Sequence, residues 1–270
     1  ADRGLQAIPF AALSDGNSFF GEKYAFSITP SLALTDLNIS NEKVGSRLLA
    51  LGASEFDGLA ALPLVPQELQ KIGKAGSKDI LLNKAFTPSA LLVKAANPSY
   101  NRVHVATHAE FKPGGPTYSR LHSGDGPISM DQLAKLRTER KGTPMDLIVF
   151  SACRTALGDP DSELGFTGLA LQAGAKSAVG TLWYVDDVVT SAFFIQMYRF
   201  LEEDIPKADA LQLTRQAFQK GLVTVKGDTI FGLNGEALLT SLTTSQQRRV
   251  INGLQNPYYW SGIELLGSPW

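Results

Sequence analysis

The chain has 270 residues, of which 44% are hydrophobic and 19% are charged, and its formal net charge is −1. Because the charges nearly cancel, the sequence lacks the basic excess that a nucleic-acid-binding groove needs, and we expect no nucleic-acid partner. Charged residues such as Lys176 and Arg199 interrupt the apolar stretches before they reach the length of a membrane span. No membrane partner is therefore expected, and without repeats or linkers residues 1–270 are predicted to form one domain.

The cysteine content indicates which cellular compartment suits the chain and which disulfide or metal-site chemistry it can support. Cys153 is the only cysteine, so an internal disulfide or a cysteine-rich metal site is excluded. The chain needs no oxidising compartment, and we expect a cytoplasmic location. Because it starts without Met, we expect it to be the C-terminal part of a longer chain. No cluster of His, Cys and Asp indicates a metal, and no cofactor is predicted.

Hydrophobic periodicity predicts alternating strands and helices in the first half of the chain. The predicted elements are strands over 24–28, 47–52, 80–82 and 102–107, with helices over 66–72 and 87–96. Thr87 is expected to cap the second helix. A loop rich in Gly, Pro and Ser over 112–127 and a helix over 130–136 follow.

The second half continues the alternation. Its predicted elements are strands over 146–151, 177–183 and 258–266, and helices over 165–173, 187–202, 208–221 and 235–254. Asp186 and Asp187 are expected to cap the helix that begins there. Strands that alternate with helices at this spacing predict an α/β fold, with a mostly parallel central sheet and helices on both faces.

Two residues with catalytic chemistry follow neighbouring predicted strands. His108 comes directly after one strand and Cys153 shortly after another, with one helical crossover between them. A thiol beside an imidazole forms a nucleophile, because the imidazole holds the sulfur as thiolate and later protonates the leaving amine. The alternative is that Cys153 is a small buried hydrophobe and His108 a structural residue. For His104 we expect packing in the strand, and for His122 a solvated position in the loop.

Six blocks of the sequence resemble the CHAT domain family, caspase-like domains of bacteria that often stand C-terminal to tetratricopeptide repeats. In chain order the blocks are IPFAAL from 8, LALGASEF from 49, HVATHAEF from 104, DLIVFSACRTALGD from 146, ELGFTGLALQAGAKSAVGTLWYVDD from 163 and NPYYWSGIELLG from 256. The resemblance thus extends over essentially the whole chain.

The resemblance implies a caspase–hemoglobinase-type three-layer sandwich and a cysteine endopeptidase. It implies that the second His of the HVATH block, His108, and the Cys of the SAC block, Cys153, form a catalytic dyad. The expected substrate is a polypeptide, and the expected partner is an upstream tetratricopeptide-repeat region or a regulatory protein.

One position departs from the family pattern. The family usually has Gly after the catalytic His, whereas this chain has Ala109. The resemblance implies that the backbone N–H groups of Ala109 and Cys153 form the oxyanion hole. If position 109 requires a positive φ, Ala strains the backbone by about 1 kcal/mol. The alternative function is a catalytically silent signalling module that keeps the fold and binds partners.

Acidic residues surround the expected site and predict cleavage after a basic residue. They are Glu55, Asp57, Asp159 and Glu163. The alternative is that Glu163 caps the following helix and Asp159 lies in a solvated turn. Arg154, beside the cysteine, would favour an acidic substrate instead. Ser151 stands where the related metacaspases carry Asp, so that route to basic specificity is missing.

Trp183 is the aromatic candidate for the substrate pocket. The segment Thr181-Leu182-Trp183 resembles the caspase strand that pairs with the substrate backbone, so Trp183 would form a pocket wall. The alternative is that Trp183 packs in the hydrophobic core, because Trp contributes a large buried area to the core of any fold. Tyr258, Tyr259 and Trp260 are predicted to be core residues of the closing strand.

Overall fold

A computed structural model describes residues 8–29, 35, 47–110, 118–152 and 165–270. Its strands are β1 (Arg47–Gly52), β2 (Lys78–Leu82), β3 (Tyr100–Ala106), β4 (Ala109–Glu110), β5 (Arg120–Ser123), β6 (Gly126–Ser129), β7 (Met145–Ser151), β8 (Ala175–Thr181), β9 (Thr224–Lys226), β10 (Thr229–Phe231), β11 (Ala237–Leu239) and β12 (Ile263–Gly267). Its helices are α1 (Phe20–Lys23), α2 (Val65–Lys71), α3 (Pro88–Ala96), α4 (Met130–Ala134), α5 (Leu136–Glu139), α6 (Gly165–Gln172), α7 (Asp187–Glu202), α8 (Lys207–Gln219), α9 (Thr244–Val250) and α10 (Pro257–Trp260).

In the part of the chain that the structure describes, six strands form the central sheet, in the order β12-β8-β7-β3-β1-β2. All neighbours in it are parallel except β12, which pairs antiparallel with β8. Two small antiparallel sheets, β4-β5-β6 and β9-β10-β11, lie outside it. The predicted α/β fold class is confirmed.

Strand β1 shows how the sheet separates two helical layers. Its residues 48–52 are buried on both faces, as the continuous apolar run predicts. Leu48 and Ala50 belong to the core that contains residues of α2, α7 and α8, whereas Leu49 and Leu51 belong to the core built with α3 to α6. The alternation of side chains along a strand thus gives a helix–sheet–helix sandwich.

Local signals located several elements correctly. Strand β1 and helix α7 have the predicted bounds. The side chain of Thr87 caps α3 by accepting a hydrogen bond from the N–H of Ala90 at 3.0 Å. Asp186 caps α7 in the same way, because its carboxylate accepts from the N–H of Val188 at 2.9 Å. Both caps confirm the predictions.

Two long predicted segments are wrong. The helix expected over 235–254 consists of strand β11 followed by the shorter helix α9. Gly235 and Ser241 have φ values of 70° and 60°, which a continuous helix does not allow, and β11 pairs with β10. The loop expected over 112–127 contains the hairpin strand β5 and the start of β6 within its described part.

The first and the last predicted strands, over 24–28 and 258–266, also differ from the observed elements. Within 24–28, Ile28 makes only an isolated bridge with Leu266. Helix α10 replaces the first part of the closing strand, because Pro257 starts it and Asn256 caps it by accepting from a backbone N–H at 2.9 Å. Tyr258 is consequently exposed rather than in the core, whereas Trp260 is fully buried.

Within the described ranges, no helix combines the length and the apolar character that crossing a bilayer requires. The assignment of residues 1–270 to one domain stays a prediction.

A buried polar network joins three elements of the sandwich. The Nε2 atom of His104, on β3, lies 2.8 Å from Oε1 of Glu68, on α2. The hydroxyl of Ser191, on α7, donates to Oε2 of the same carboxyl group at 2.6 Å. His104 and Glu68 are 0% and 1% exposed, which confirms the expectation that His104 packs within the fold. The network links the sheet to both helices.

Glu68→Ala is expected to lower the free energy of unfolding by about 3–5 kcal/mol, because it removes the partner of two buried polar groups. Urea denaturation followed by circular dichroism measures this change. Glu203→Ala, at the exposed end of α7, is the control and should change it by less than about 0.5 kcal/mol. A Glu68→Ala variant within 1 kcal/mol of the parent, roughly the worth of one hydrogen bond, would show that the network contributes little.

Candidate active site

The parallel strands bring five segments to one edge of the sheet. Strands β1, β2, β3, β7 and β8 end there, and ligands of open α/β sheets bind beyond such carboxyl ends. Ala106, the last residue of β3, pairs with Ser151, the last of β7. The N–H of Thr107 donates to the carbonyl of Ser151 at 3.2 Å, so the segments that follow β3 and β7 leave the sheet side by side.

His108 is the first chemically active side chain beyond β3. It is half-buried, and its Nε2 lies 2.7 Å from the carbonyl oxygen of Ala60. Because a carbonyl can only accept, Nε2 carries the hydrogen, which leaves Nδ1 of the neutral ring as the acceptor. The ring also contacts that of Phe56, with 4.8 Å between the centroids. These contacts fix both the orientation and the tautomer of the imidazole.

The segment after β1 holds the carbonyl that orients His108. The N–H of Leu62 donates to the carbonyl of Ser54 at 2.9 Å and closes this segment into a loop. The N–H of Ser54 donates to Oδ1 of Asn83 at 2.7 Å, which ties the base of the loop to the end of β2. Asn83 has a φ of 52°, a left-handed conformation that Asn tolerates better than most residues.

Ala109 presents a backbone N–H at the same edge. It lies in β4 opposite Leu121, and the N–H of His122 donates to the carbonyl of His108 at 2.9 Å. This pattern makes Ala109 and Leu121 a non-hydrogen-bonded pair, so the N–H of Ala109 points away from β5. Strand β4 is an edge strand within the described ranges, so no strand of that part of the chain pairs with this N–H. Ala109 has extended backbone without a positive φ, so the strain considered for this position is absent.

The second predicted dyad member lies outside the described residues. Cys153, Arg154, Asp159 and Glu163 all fall in the range 153–164. Ala152 directly follows β7, and its carbonyl accepts a hydrogen bond of 3.0 Å from the hydroxyl of Thr181. The residue that precedes Cys153 is therefore placed, one strand from His108.

Trp183 lies two residues beyond the end of β8 and is half-buried. Its Nε1–H donates to the carbonyl of Tyr258 at 3.0 Å, and the two rings stack with 5.8 Å between centroids. A Cβ atom on Gly262 would lie only 2.5 Å from the indole, so the ring also packs on this backbone. The indole is thus held in place at the carboxyl edge of the sheet.

Glu55 and Asp57 are both exposed, on either side of Phe56. They lie on the β1 side of His108, whereas Trp183 lies on the β8 side. Three strand spacings of about 4.8 Å each separate β1 from β8, so these acidic residues and the indole flank the β3–β7 pair rather than line one wall.

The Ala60 carbonyl was not predicted, because a backbone group leaves no signal in the sequence. Phe56 could have been found, since it belongs to the LALGASEF block.

The third histidine differs from its prediction. His122 lies in β5 rather than in a loop, and its side chain is only 21% exposed. Its Nε2 is 3.7 Å from Glu110, which also lies 3.6 Å from Arg120. Within the described ranges, no three residues among His, Cys, Asp and Glu are grouped closely enough to hold a metal ion.

The family model of the CHAT domain matches residues 1–268. Among solved structures, the chain is similar to the complex of the pro- and mature domains of RgpB from Porphyromonas gingivalis, with 10% identity, a TM-score of 0.48 and coverage of 83% of this chain and 47% of that chain. It is also similar to the Arg-specific cysteine proteinase gingipain R (RgpB), with 12% identity, a TM-score of 0.48 and coverage of 83% and 46%. The chain thus spans just under half the length of these structures. No protein of curated function matches it.

Ala109→Gly is expected to lower the free energy of unfolding by about 0.5–1 kcal/mol, because glycine gains nothing at an extended position and costs conformational entropy. Urea denaturation measures the change. The contrasting control is Lys141→Gly, an exposed position with a φ of 50°, where glycine relieves the backbone and should not destabilise. A gain in stability for Ala109→Gly would mean that position 109 needs a left-handed backbone.

Proposed function

Because the chain belongs to the CHAT domain family, we propose that it is a cysteine endopeptidase in which Cys153 and His108 form the catalytic dyad. The observation that carries the proposal is the hydrogen bonding of the His108 imidazole. Its Nε2 is committed to the carbonyl of Ala60, which leaves Nδ1 as a base one strand away from the residue that precedes Cys153. A base oriented by a third group is the usual companion of an activated nucleophile.

The proposed reaction is acyl transfer to sulfur followed by hydrolysis. Nδ1 of His108 takes the thiol proton, and the thiolate of Cys153 forms a bond to the scissile carbonyl carbon. When the tetrahedral intermediate collapses, the C–N bond breaks and the imidazolium gives its proton to the departing amine. His108 then takes a proton from water, and the resulting hydroxide attacks the thioester carbonyl. When this intermediate collapses, the C–S bond breaks, the acid product leaves, and the imidazolium returns its proton to the sulfur of Cys153.

The developing oxyanion is proposed to be stabilised by the backbone N–H groups of Ala109 and Cys153. The orientation of the Ala109 N–H, away from β5, supports this role. Removing one such donor typically costs about 10²–10³ in rate. Side chains and backbone amides carry out every step, so the proposal includes no cofactor.

The proposed substrate is a polypeptide with a basic residue before the scissile bond. The support is the exposed pair Glu55 and Asp57, on the same loop as the Phe56 and Ala60 that hold His108. Asp159 and Glu163 would add to this negative charge from the segment after Cys153. An upstream repeat region that regulates the domain, and a cytoplasmic location, stay predictions.

Intact-mass labelling with an Arg-containing peptidyl acyloxymethyl ketone tests the dyad. The parent chain should gain one label, Cys153→Ala none, and His108→Ala should react about 10²–10⁴-fold more slowly because it lacks the base. His122→Ala, the variant of the third histidine, is the matched control and should react like the parent.

Two results would contradict the proposed peptidase. The first is a parent chain that gains no label although Cys153 reacts with iodoacetamide, which would indicate the silent signalling module instead. The second is labelling at Cys153 that does not depend on His108.

Specificity is tested with otherwise identical peptides that carry Arg, Lys or Asp beside the reactive group. Arg and Lys should label faster than Asp, and Glu55→Gln with Asp57→Asn should slow the Arg peptide by roughly two- to thirtyfold, since exposed charges contribute about 0.2–1 kcal/mol each. The effect should shrink as salt rises. Glu203→Gln with Asp209→Asn, which also removes two exposed negative charges, at the far end of α7 and in the first turn of α8, is the charge-matched control. A preference for Asp would overturn the acidic pocket and point to Arg154.

A further inference from the structure

We propose that Asn83 is a positioning residue, which holds the imidazole of His108 through the loop over 54–62. The inference rests on the proposed function and extends it to a residue outside the dyad. The loop carries the carbonyl of Ala60, whose oxygen lies 2.7 Å from Nε2 of His108. Asn83 directly follows β2, and its side chain bonds the first residue of this loop, Ser54.

The side chain of Asn83 anchors the loop at the point where it leaves the sheet. On one side of β1, the N–H of Ala53 donates to the carbonyl of Ala106, the last residue of β3, at 3.0 Å. On the other side, β2 has already ended at Leu82. There the N–H of Ser54 donates to Oδ1 of Asn83 at 2.7 Å, and the Ser54 hydroxyl donates to the same oxygen at 3.1 Å. One side-chain oxygen thus accepts from two donors of a residue that is buried.

A hydrogen bond within the loop connects this anchor to the groups that contact the imidazole. The carbonyl of Ser54 accepts from the N–H of Leu62 at 2.9 Å, so the anchored residue also closes the loop. Between these two residues lie Phe56, whose ring is 4.8 Å from the imidazole between centroids, and Ala60, whose carbonyl accepts from it. The position of both groups therefore depends on how Ser54 is held.

The backbone of Asn83 suits this role. Its φ of 52° lies in the left-handed region, which Asn and Asp tolerate better than other residues with a side chain. The turn between β5 and β6 packs against it, because a Cβ atom on Gly124 would collide with the carbonyl oxygen of Asn83. The N–H of Gly124 also donates to the carbonyl of Phe86 at 2.9 Å. The backbone that carries the accepting oxygen is thus held between β2 and this turn.

The orientation of the imidazole matters because its two nitrogens have different roles. The bond from Nε2 to the carbonyl of Ala60 directs Nδ1, the proposed base, to the opposite side of the ring. A displacement of about 1 Å in a catalytic group can cost about 10²-fold in rate. Asn83 acts on this geometry by fixing the loop that supplies the accepting carbonyl.

A purely structural role for Asn83 is the competing explanation, and the chain offers a matched control. Lys141 has nearly the same backbone, with a φ of 50°, and lies just before β7, at the opposite edge of the sheet. Asn83→Gly and Lys141→Gly both place glycine where a positive φ suits it, so each removes a side chain without straining the backbone. Of the two variants, Asn83→Gly removes the acceptor of the Ser54 N–H.

The first measurement detects the hydrogen bond of His108 by NMR on the chain with ¹⁵N-labelled histidine. A hydrogen-bonded imidazole N–H exchanges slowly enough with water to be observed, and the His108 signal is the one that His108→Ala lacks. His104, whose buried Nε2 lies 2.8 Å from Glu68, supplies an internal reference for the fold. Asn83→Gly should lose the His108 signal and keep the His104 signal, whereas Lys141→Gly should keep both.

The second measurement is kcat for an Arg peptide amide. It is taken at saturating peptide, so that weaker binding by the acidic residues of the same loop does not contribute. Asn83→Gly should lower kcat roughly ten- to hundredfold, and Lys141→Gly should stay within about twofold of the parent, well below that loss. Asn83→Asp keeps an oxygen acceptor and tolerates the left-handed backbone, so it should restore most of kcat and the His108 signal.

The outcomes separate this inference from the proposed function. If Asn83→Gly keeps the His108 signal, or loses it with kcat unchanged, the positioning role is overturned and the peptidase stands. If the His104 signal is lost as well, Asn83 supports the whole fold, and the positioning role is likewise overturned. A parent chain with neither turnover nor labelling by the ketone overturns the peptidase, whereas the His108 signal still decides whether Asn83 holds the imidazole.

Discussion

The parallel pairing of β3 with β7 is the constraint on which the candidate site depends. Because the two strands run in the same direction in register, the chain that continues to His108 and the chain that continues to Cys153 leave the sheet at the same edge. The ends of the two strands thereby lie side by side, where the N–H of Thr107 donates to the carbonyl of Ser151. The helices on both faces keep the pairing rigid, since the strands are buried on each side.

Beyond the ends of the strands, hydrogen bonds that involve side chains hold the backbone and the imidazole in place. Thr181 satisfies the carbonyl of Ala152, Asn83 satisfies the N–H of Ser54, and the carbonyl of Ala60 bonds the ring of His108. Buried backbone groups need a partner wherever regular pairing stops. These three hydrogen bonds also fix the carbonyl of Ala152, the loop that begins at Ser54 and the imidazole of His108. The bonds that give backbone groups a partner therefore also orient the candidate site.

The Glu68 network ties this edge to the rest of the sandwich. It connects β3, which leads to His108, with α2, which follows the loop containing Ala60, and with α7, which begins just after Trp183. Breaking a buried polar network is costly because its members cannot turn to water. The elements on both flanks of the site are thus held by one group of hydrogen bonds within the core.

The sequence by itself determined β1, α7 and its Asp186 cap, because burial on two faces, helical spacing and capping are local patterns. It also placed His108 just beyond the end of a strand, whereas a catalytic role for His108 stays a prediction. The tertiary structure decided how the site is held. The carbonyl of Ala60, the free direction of the Ala109 N–H and the hydroxyl of Thr181 depend on strands and loops far apart in the chain. It also decided that 235–254 pairs partly as a strand with β10, since periodicity records only which residues are apolar and not which segment will lie beside them.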